Sequence, residues 1–97
     1  MNRVALFCEL HVIEKYMEEF RPLIENHSRT CLEKESGCVL FQVSRDRDDP
    51  GVIRIYEEYL EQTDLDKHNS TARFSELNAK IEHMLSEVVV HTTDLHV

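Results

Sequence analysis

Tryptophan is absent from this 97-residue chain, and glycine and proline occur only twice each. Collagen-like and low-complexity architectures need far more glycine and proline, so both are excluded, and each of the four residues present marks a turn or an interruption. Cysteine is scarce as well: Cys8, Cys31 and Cys38 are odd in number and show no CxxC spacing. Neither a disulfide framework nor a zinc cluster is expected, and the three read as reduced, mostly buried thiols. Positive charge is in deficit, with eleven Lys plus Arg against nineteen Asp plus Glu and a formal charge of -8. That balance repels phosphate backbones and anionic lipid, so nucleic acid is not an expected partner. No apolar run approaches the ~20 residues that span a bilayer, and no N-terminal stretch has the order of a signal peptide. The expectation is a cytoplasmic protein with no membrane partner. A glycine-rich phosphate loop is also missing, which argues against nucleotide or flavin binding through the usual motifs.

What is present describes an ordinary globular chain, 41% hydrophobic and 31% charged. Its length fits a single domain over residues 1–97, so any site must be built from one core or shared with a second copy. RVALFCELH (Arg3 to His11) is short and nearly continuous in apolar residues, as a strand covered on both faces would be. From Ile13 the apolar positions Met17, Phe20, Ile24 and Cys31 follow a helical rhythm, and only His27 stands out of the stripe. Pro22 removes one backbone donor and predicts a kink near Glu18 to Pro22, while Ser36-Gly37 predicts a helix end with glycine in the left-handed conformation.

CVLFQVSR (Cys38 to Arg45) and VIRIYEEYL (Val52 to Leu60) read as a hairpin, with Pro50 and Gly51 at the centre of a type II turn. Strict alternation puts Val39, Phe41 and Val43 on one face and Cys38 and Leu40 on the other, with Ile53 and Ile55 opposite Val52, Tyr56 and Leu60. Thr63 is positioned to cap a short helix from Asp64 to His68, and a longer one is predicted from about Thr71 to Glu87. VVVHTTDLHV (Val88 to Val97) closes the series as a strand. The order β-α-β-β-α-β is that of a ferredoxin-like α+β unit. Two helices cover one face of such a sheet, yet its strands are apolar on both, so a homodimer pairing the uncovered sheets is expected.

With that order in hand, EEFRPLIENHSRTCLEKESGC (Glu18 to Cys38), FQVSRDRDDPGVIRIYEEYL (Phe41 to Leu60) and DLDKHNSTARFSEL (Asp64 to Leu77) together resemble the antibiotic biosynthesis monooxygenase family of dimeric α/β barrels. The resemblance runs from about Val4 to Leu95. Asn26-His27, the run Tyr56-Glu57-Glu58-Tyr59 and then His68 look closest to the branch holding quinol monooxygenases and the isomerase of a phosphorylated, dione-containing autoinducer. Two departures stand out: Gln42 where many members have an acidic residue, and Arg73 where many have histidine. Haem-degrading members rely on a tryptophan that this chain lacks.

The resemblance implies a cofactor-independent monooxygenase that takes a small quinol-like or polyketide aromatic and dioxygen. Its alternatives are an isomerase of a small hydroxy-diketone and a non-catalytic ligand-binding dimer. Such chemistry needs a base, an oxyanion donor and a dry cavity, because a deprotonated phenol or enol can itself pass an electron to dioxygen. Histidine, with an ordinary pKa near ~6.5, suits the first role, which makes His27 and His68 the candidates. Asn26, about ~100° from His27 around the helix, offers an amide donor. Tyr56, Tyr59, Glu57, Arg73 and Phe41 are expected around the substrate, with an ion pair from Glu57 or Glu58 to Arg54 or Arg73 as the competing role for the carboxylates. His11, His83, His91 and His96 show no ligand spacing among themselves, and no metal site or cofactor is expected.

Overall fold

In a computed structural model, residues 3–96 are described. The chain forms β1 (Val4–Val12), a short 3-10 turn (Glu14–Tyr16), α1 (Met17–Lys34), β2 (Cys38–Arg45), β3 (Val52–Tyr59), α2 (Gln62–Asn69), α3 (Ala72–Ile81), a second 3-10 turn (Glu82–Met84) and β4 (Leu85–Asp94). The four strands make one antiparallel sheet in the order β2-β3-β1-β4. This is the ferredoxin-like α+β arrangement, with an additional short helix between β3 and α3.

Registers assign the two faces. Val4, Leu6, Cys8 and Leu10 of β1 sit opposite Tyr59, Glu57, Ile55 and Ile53 of β3, and opposite Asp94, Thr92, Val90 and Val88 of β4. All share the face that meets the helices. In α1 the buried positions are Met17, Phe20, Ile24, His27, Ser28 and Cys31, one helical stripe against the sheet in which His27 takes its place. Phe20 is fully buried, which contributes about 2–3 kcal/mol of hydrophobic transfer. Ser28 fixes the helix to the sheet by donating from Oγ to the Phe41 carbonyl at 2.8 Å.

Several local expectations are corrected. A bulge at Val39 shifts the β2 register, pairing Cys38 with Tyr59 and Leu40 with Glu58, so Cys38 and Phe41 lie on the same buried face. No glycine has a positive φ. The turn closed by Val52 N–H donating to the Asp49 carbonyl at 3.1 Å is therefore not type II. The hairpin tip is held instead by Asp46, whose carboxylate accepts from the N–H groups of Asp48 and Asp49 at 3.0 and 2.7 Å. Thr63 caps nothing: α2 begins after Glu61, which has no side-chain cap, while Thr71 caps α3 by accepting from Phe74 N–H at 3.2 Å. The last helix, expected to run to about Glu87, ends at Ile81 and is followed by the 3-10 turn Glu82–Met84. Leu85 and Val88 belong to β4, whose β-branched run pairs with β1.

The outer sheet face is not uniformly apolar. Arg54 spans Glu9 and Asp46, His11 meets Glu9, and Arg3 and Tyr56 meet Glu58. Beside this network Phe7 stacks on Tyr56 with ring centroids 4.9 Å apart and stays half-exposed.

Gly37 is needed for closeness rather than for an unusual dihedral. It is buried, and a methyl group there would overlap the Asp64 side chain down to its Cβ at the start of α2. Gly37→Ala should therefore destabilise the fold by roughly 1–3 kcal/mol as α2 is pushed off the sheet. Urea unfolding checks this, and an unchanged midpoint would show that α2 yields freely.

Candidate active site

Between the helices and the β1–β4 half of the sheet lies a cavity of about 510 Å3. Its walls include Leu6, Cys8 and Leu10 of β1, Phe41 of β2, Phe74, Leu77 and Ile81 of α3, and Val88 and Val90 of β4, with His27, His68 and Glu57 as the buried polar groups. Alternation along β3 delivers Glu57 to this face between Ile55 and Tyr59, while α1 and α2 bring in the two imidazoles.

The imidazoles of His27 and His68 meet edge-on with centroids 5.6 Å apart, and Phe41 and Phe74 pack around them. His68 Nδ1 is 2.9 Å from Oε1 of Glu35, the residue that follows α1, and Arg73 of α3 donates to the same carboxylate. A carboxylate only accepts, so His68 carries a proton on Nδ1, and its Nε2 has no protein hydrogen-bond partner among the described residues. Cys31 Sγ lies 3.5 Å from Nε2 of His27 and 3.8 Å from Nδ1 of His68. Burial pushes the Cys31 thiol up to about 12, so its S–H remains at neutral pH beside His27 Nε2. Burial, then the neighbouring His68 and Arg73, hold the His27 imidazole down to about 4, so it is neutral at physiological pH and is a hydrogen-bond donor rather than a strong base.

Glu57 accepts from the Tyr59 hydroxyl at 2.6 Å and from the Cys8 thiol at 3.7 Å. Burial nevertheless raises its carboxyl above the usual range, outweighing the bonds and charges that favour ionisation. Neither expected ion pair of Glu57 forms, since Arg54 is on the other sheet face and Arg73 is held by Glu35. Tyr59 is fully buried and positions Glu57. Phe41 lines the cavity.

Three further residues fall elsewhere. Asn26 is exposed and borders a smaller cleft between α1 and α3, together with Arg73, because its ~100° offset from His27 carries it past the edge of the buried stripe. Tyr56 is on the outer sheet face, opposite in parity to Glu57, and donates to Glu58 at 2.7 Å. Asn69 and Asn78 supply the amides that do border the large cavity. Glu35 and Cys31 were missed as members of the site. Their spacing of four and eight residues from His27 on one helix face was the available signal.

The depressed His27 pKa has a thermodynamic consequence. Below its unfolded value near ~6.5 the unfolded chain binds a proton that the folded chain refuses until about pH 4, so stability falls as pH drops through that window, by a ceiling of roughly 3 kcal/mol. His27→Gln should flatten this part of the pH–stability curve. Urea unfolding at pH 7 and pH 4.5 measures the difference, and a slope equal to that of the parent protein would refute the assignment.

Comparisons with known proteins bear on the family and the fold. Residues 3–80 match the family model described as antibiotic biosynthesis monooxygenase. No curated protein matches by sequence. Among solved structures, a candidate antibiotic biosynthesis monooxygenase from Caulobacter crescentus CB15 superposes with a TM-score of 0.94 at 21% identity, covering 99% of this chain and 92% of that one. A conserved protein from Methanosarcina mazei Go1 gives 0.89 at 22% identity, over 96% and 92% of the two chains. A third, a candidate antibiotic biosynthesis monooxygenase from Deinococcus radiodurans, gives 0.91 at 18% identity, over 97% and 93%. At such identities the structural likeness speaks for the fold, while the family model covers most of the chain. The chain belongs to the antibiotic biosynthesis monooxygenase family.

Proposed function

We propose that this protein is a cofactor-independent monooxygenase that oxidises a small quinol-like or polyketide aromatic with dioxygen. The observation that carries this reading is the His68 imidazole on the cavity wall, its Nδ1–H held by Glu35 and its Nε2 free to accept a proton. Phe41, Phe74 and the valines of β4 give the cavity apolar walls against which a flat aromatic would pack. His68 Nε2 takes the phenolic proton, and the neutral His27, as a donor, stabilises the oxygen on which charge develops. The electron-rich anion then reduces dioxygen by one electron, the radical pair combines at carbon, and the hydroperoxide loses water. A ring CH2 plus O2 becomes C=O plus H2O, and Glu57 is positioned to exchange the second proton.

The lining favours this over an isomerase acting on a phosphorylated hydroxy-diketone. Among the described residues the cavity is bordered by no lysine or arginine and by two acidic residues, Glu57 and Glu82, which would repel a phosphate. We place the reaction in the cytoplasm, where three free cysteines stay reduced. No helix among the described residues is long and apolar enough to cross a membrane. We also infer a homodimer, in which the Phe7 and Tyr56 patch meets its copy across the outer sheet face.

Two measurements test these readings. Oxygen uptake with a panel of dihydroquinones and anthrones, without added metal or flavin, should be detectable and should fall by about 10²–10⁴ in His68→Ala. No uptake with any of them, or equal rates in both proteins, would defeat the assignment. Sedimentation equilibrium at micromolar concentration should give twice the chain mass, shifting toward monomer in Phe7→Glu; a stable monomer in the parent protein would overturn the dimer.

A further inference from the structure

We propose that His27, Cys31 and His68 form a three-ligand site for Zn2+ on the wall of the cavity, a site that the spacing of cysteines in the sequence does not announce. Cys31 follows His27 by one helical step of four residues, so α1 presents an imidazole and a thiol on one face, and α2 brings the second imidazole against them. All three side chains are buried and their donor atoms lie within 4.8 Å of one another. The two separations from Sγ are 3.5 Å to His27 Nε2 and 3.8 Å to His68 Nδ1. Around a tetrahedral zinc ion, with Zn–S about 2.3 Å and Zn–N about 2.0 Å, nitrogen and sulfur donors stand about 3.5 Å apart. Both sulfur–nitrogen separations are thus close to coordinating geometry, and the two imidazoles, on α1 and α2, close on the ion by turning about their side-chain bonds.

Donor chemistry selects the ion. Two imidazoles and one thiolate suit zinc and discriminate against magnesium and calcium, which take oxygen ligands. Charge is also favourable, since the Cys31 thiolate formed on binding and the Glu35 carboxylate outnumber the single Arg73 guanidinium beside them. Three protein ligands leave a fourth position, and the Glu35 carboxylate, 2.9 Å from His68 Nδ1, stands beside it. Loading turns His68 Nδ1 from Glu35 to the metal. On the functional reading given above, zinc would then suppress oxygen uptake, but occupancy itself is read without any activity.

The test is a titration of the metal-stripped full chain with Co2+, followed by displacement with Zn2+. One equivalent of cobalt per chain should give the ligand-field bands of a tetrahedral ion and a thiolate-to-cobalt charge-transfer band, both abolished by zinc. Cys31→Ser should lose the charge-transfer band, while Cys38→Ser, which alters a buried cysteine outside the cluster, should retain it. X-ray absorption of the zinc-loaded parent protein gives a second readout independent of how the variants fold, and should resolve one sulfur and two imidazole nitrogens. A shell of oxygen ligands only, no tetrahedral bands, or a charge-transfer band that survives in folded Cys31→Ser would overturn the proposal. Circular dichroism establishes the folding of each variant.

Discussion

One carboxylate holds the site together. Glu35, in the first position beyond α1, accepts from His68 of α2 at 2.9 and 3.2 Å and from Arg73 of α3, so three helices that make few direct contacts with one another converge on a single pair of oxygens. The group is largely removed from water, where such charge-assisted bonds are stronger than surface pairs. Its orientation places a proton on His68 Nδ1, while His27 contacts only the Cys31 thiol through Nε2. The two histidines, alike in the sequence, thereby acquire different surroundings, one beside a carboxylate and one beside a thiol.

The sheet contributes by separating two kinds of surface. On β3, Ile53, Ile55, Glu57 and Tyr59 share a face, and of these four the middle two line the cavity while Ile53 and Tyr59 are packed in the core. A carboxyl on this face would be costly without partners, and the Tyr59 hydroxyl and Cys8 thiol supply them. The next residue in each direction, Tyr56 or Glu58, belongs to a different chemistry altogether, with its bonds to Arg3 and to each other across the outer face.

Much of this was legible in the residues. The strand and helix order, the α1 stripe and the hairpin all follow from local periodicity, and the parity of β3 correctly separates Glu57 from Glu58. What escaped has identifiable physical causes. The bulge at Val39 breaks the two-residue period, which is why strict alternation set Cys38 apart from Phe41. Gly37 looked like a dihedral requirement and is a packing one, because the approach of Asp64 comes from a segment 27 positions away. The boundary between α3 and β4 was misplaced because Leu85 and Val88 continue the helical spacing while pairing as strand residues with Val12 and Leu10. In the site, the helix arithmetic that puts Cys31 and Glu35 beneath His27 was available locally. That His68 would meet all three depended on the tertiary path of α2.

The margin of the cavity along β4 has its own consequence. Val88 and Val90 face the cavity yet remain 51% exposed, because the helices cover β2, β3 and β1 more fully than this edge strand. The mouth is thus framed by regular backbone rather than by a loop, and passage through it requires no hinge. The side chains of this rim offer apolar surface and no hydrogen-bond partner. A molecule with a hydrocarbon fringe would gain contact there that a small polar one would not, so the edge strand selects by the periphery of what enters.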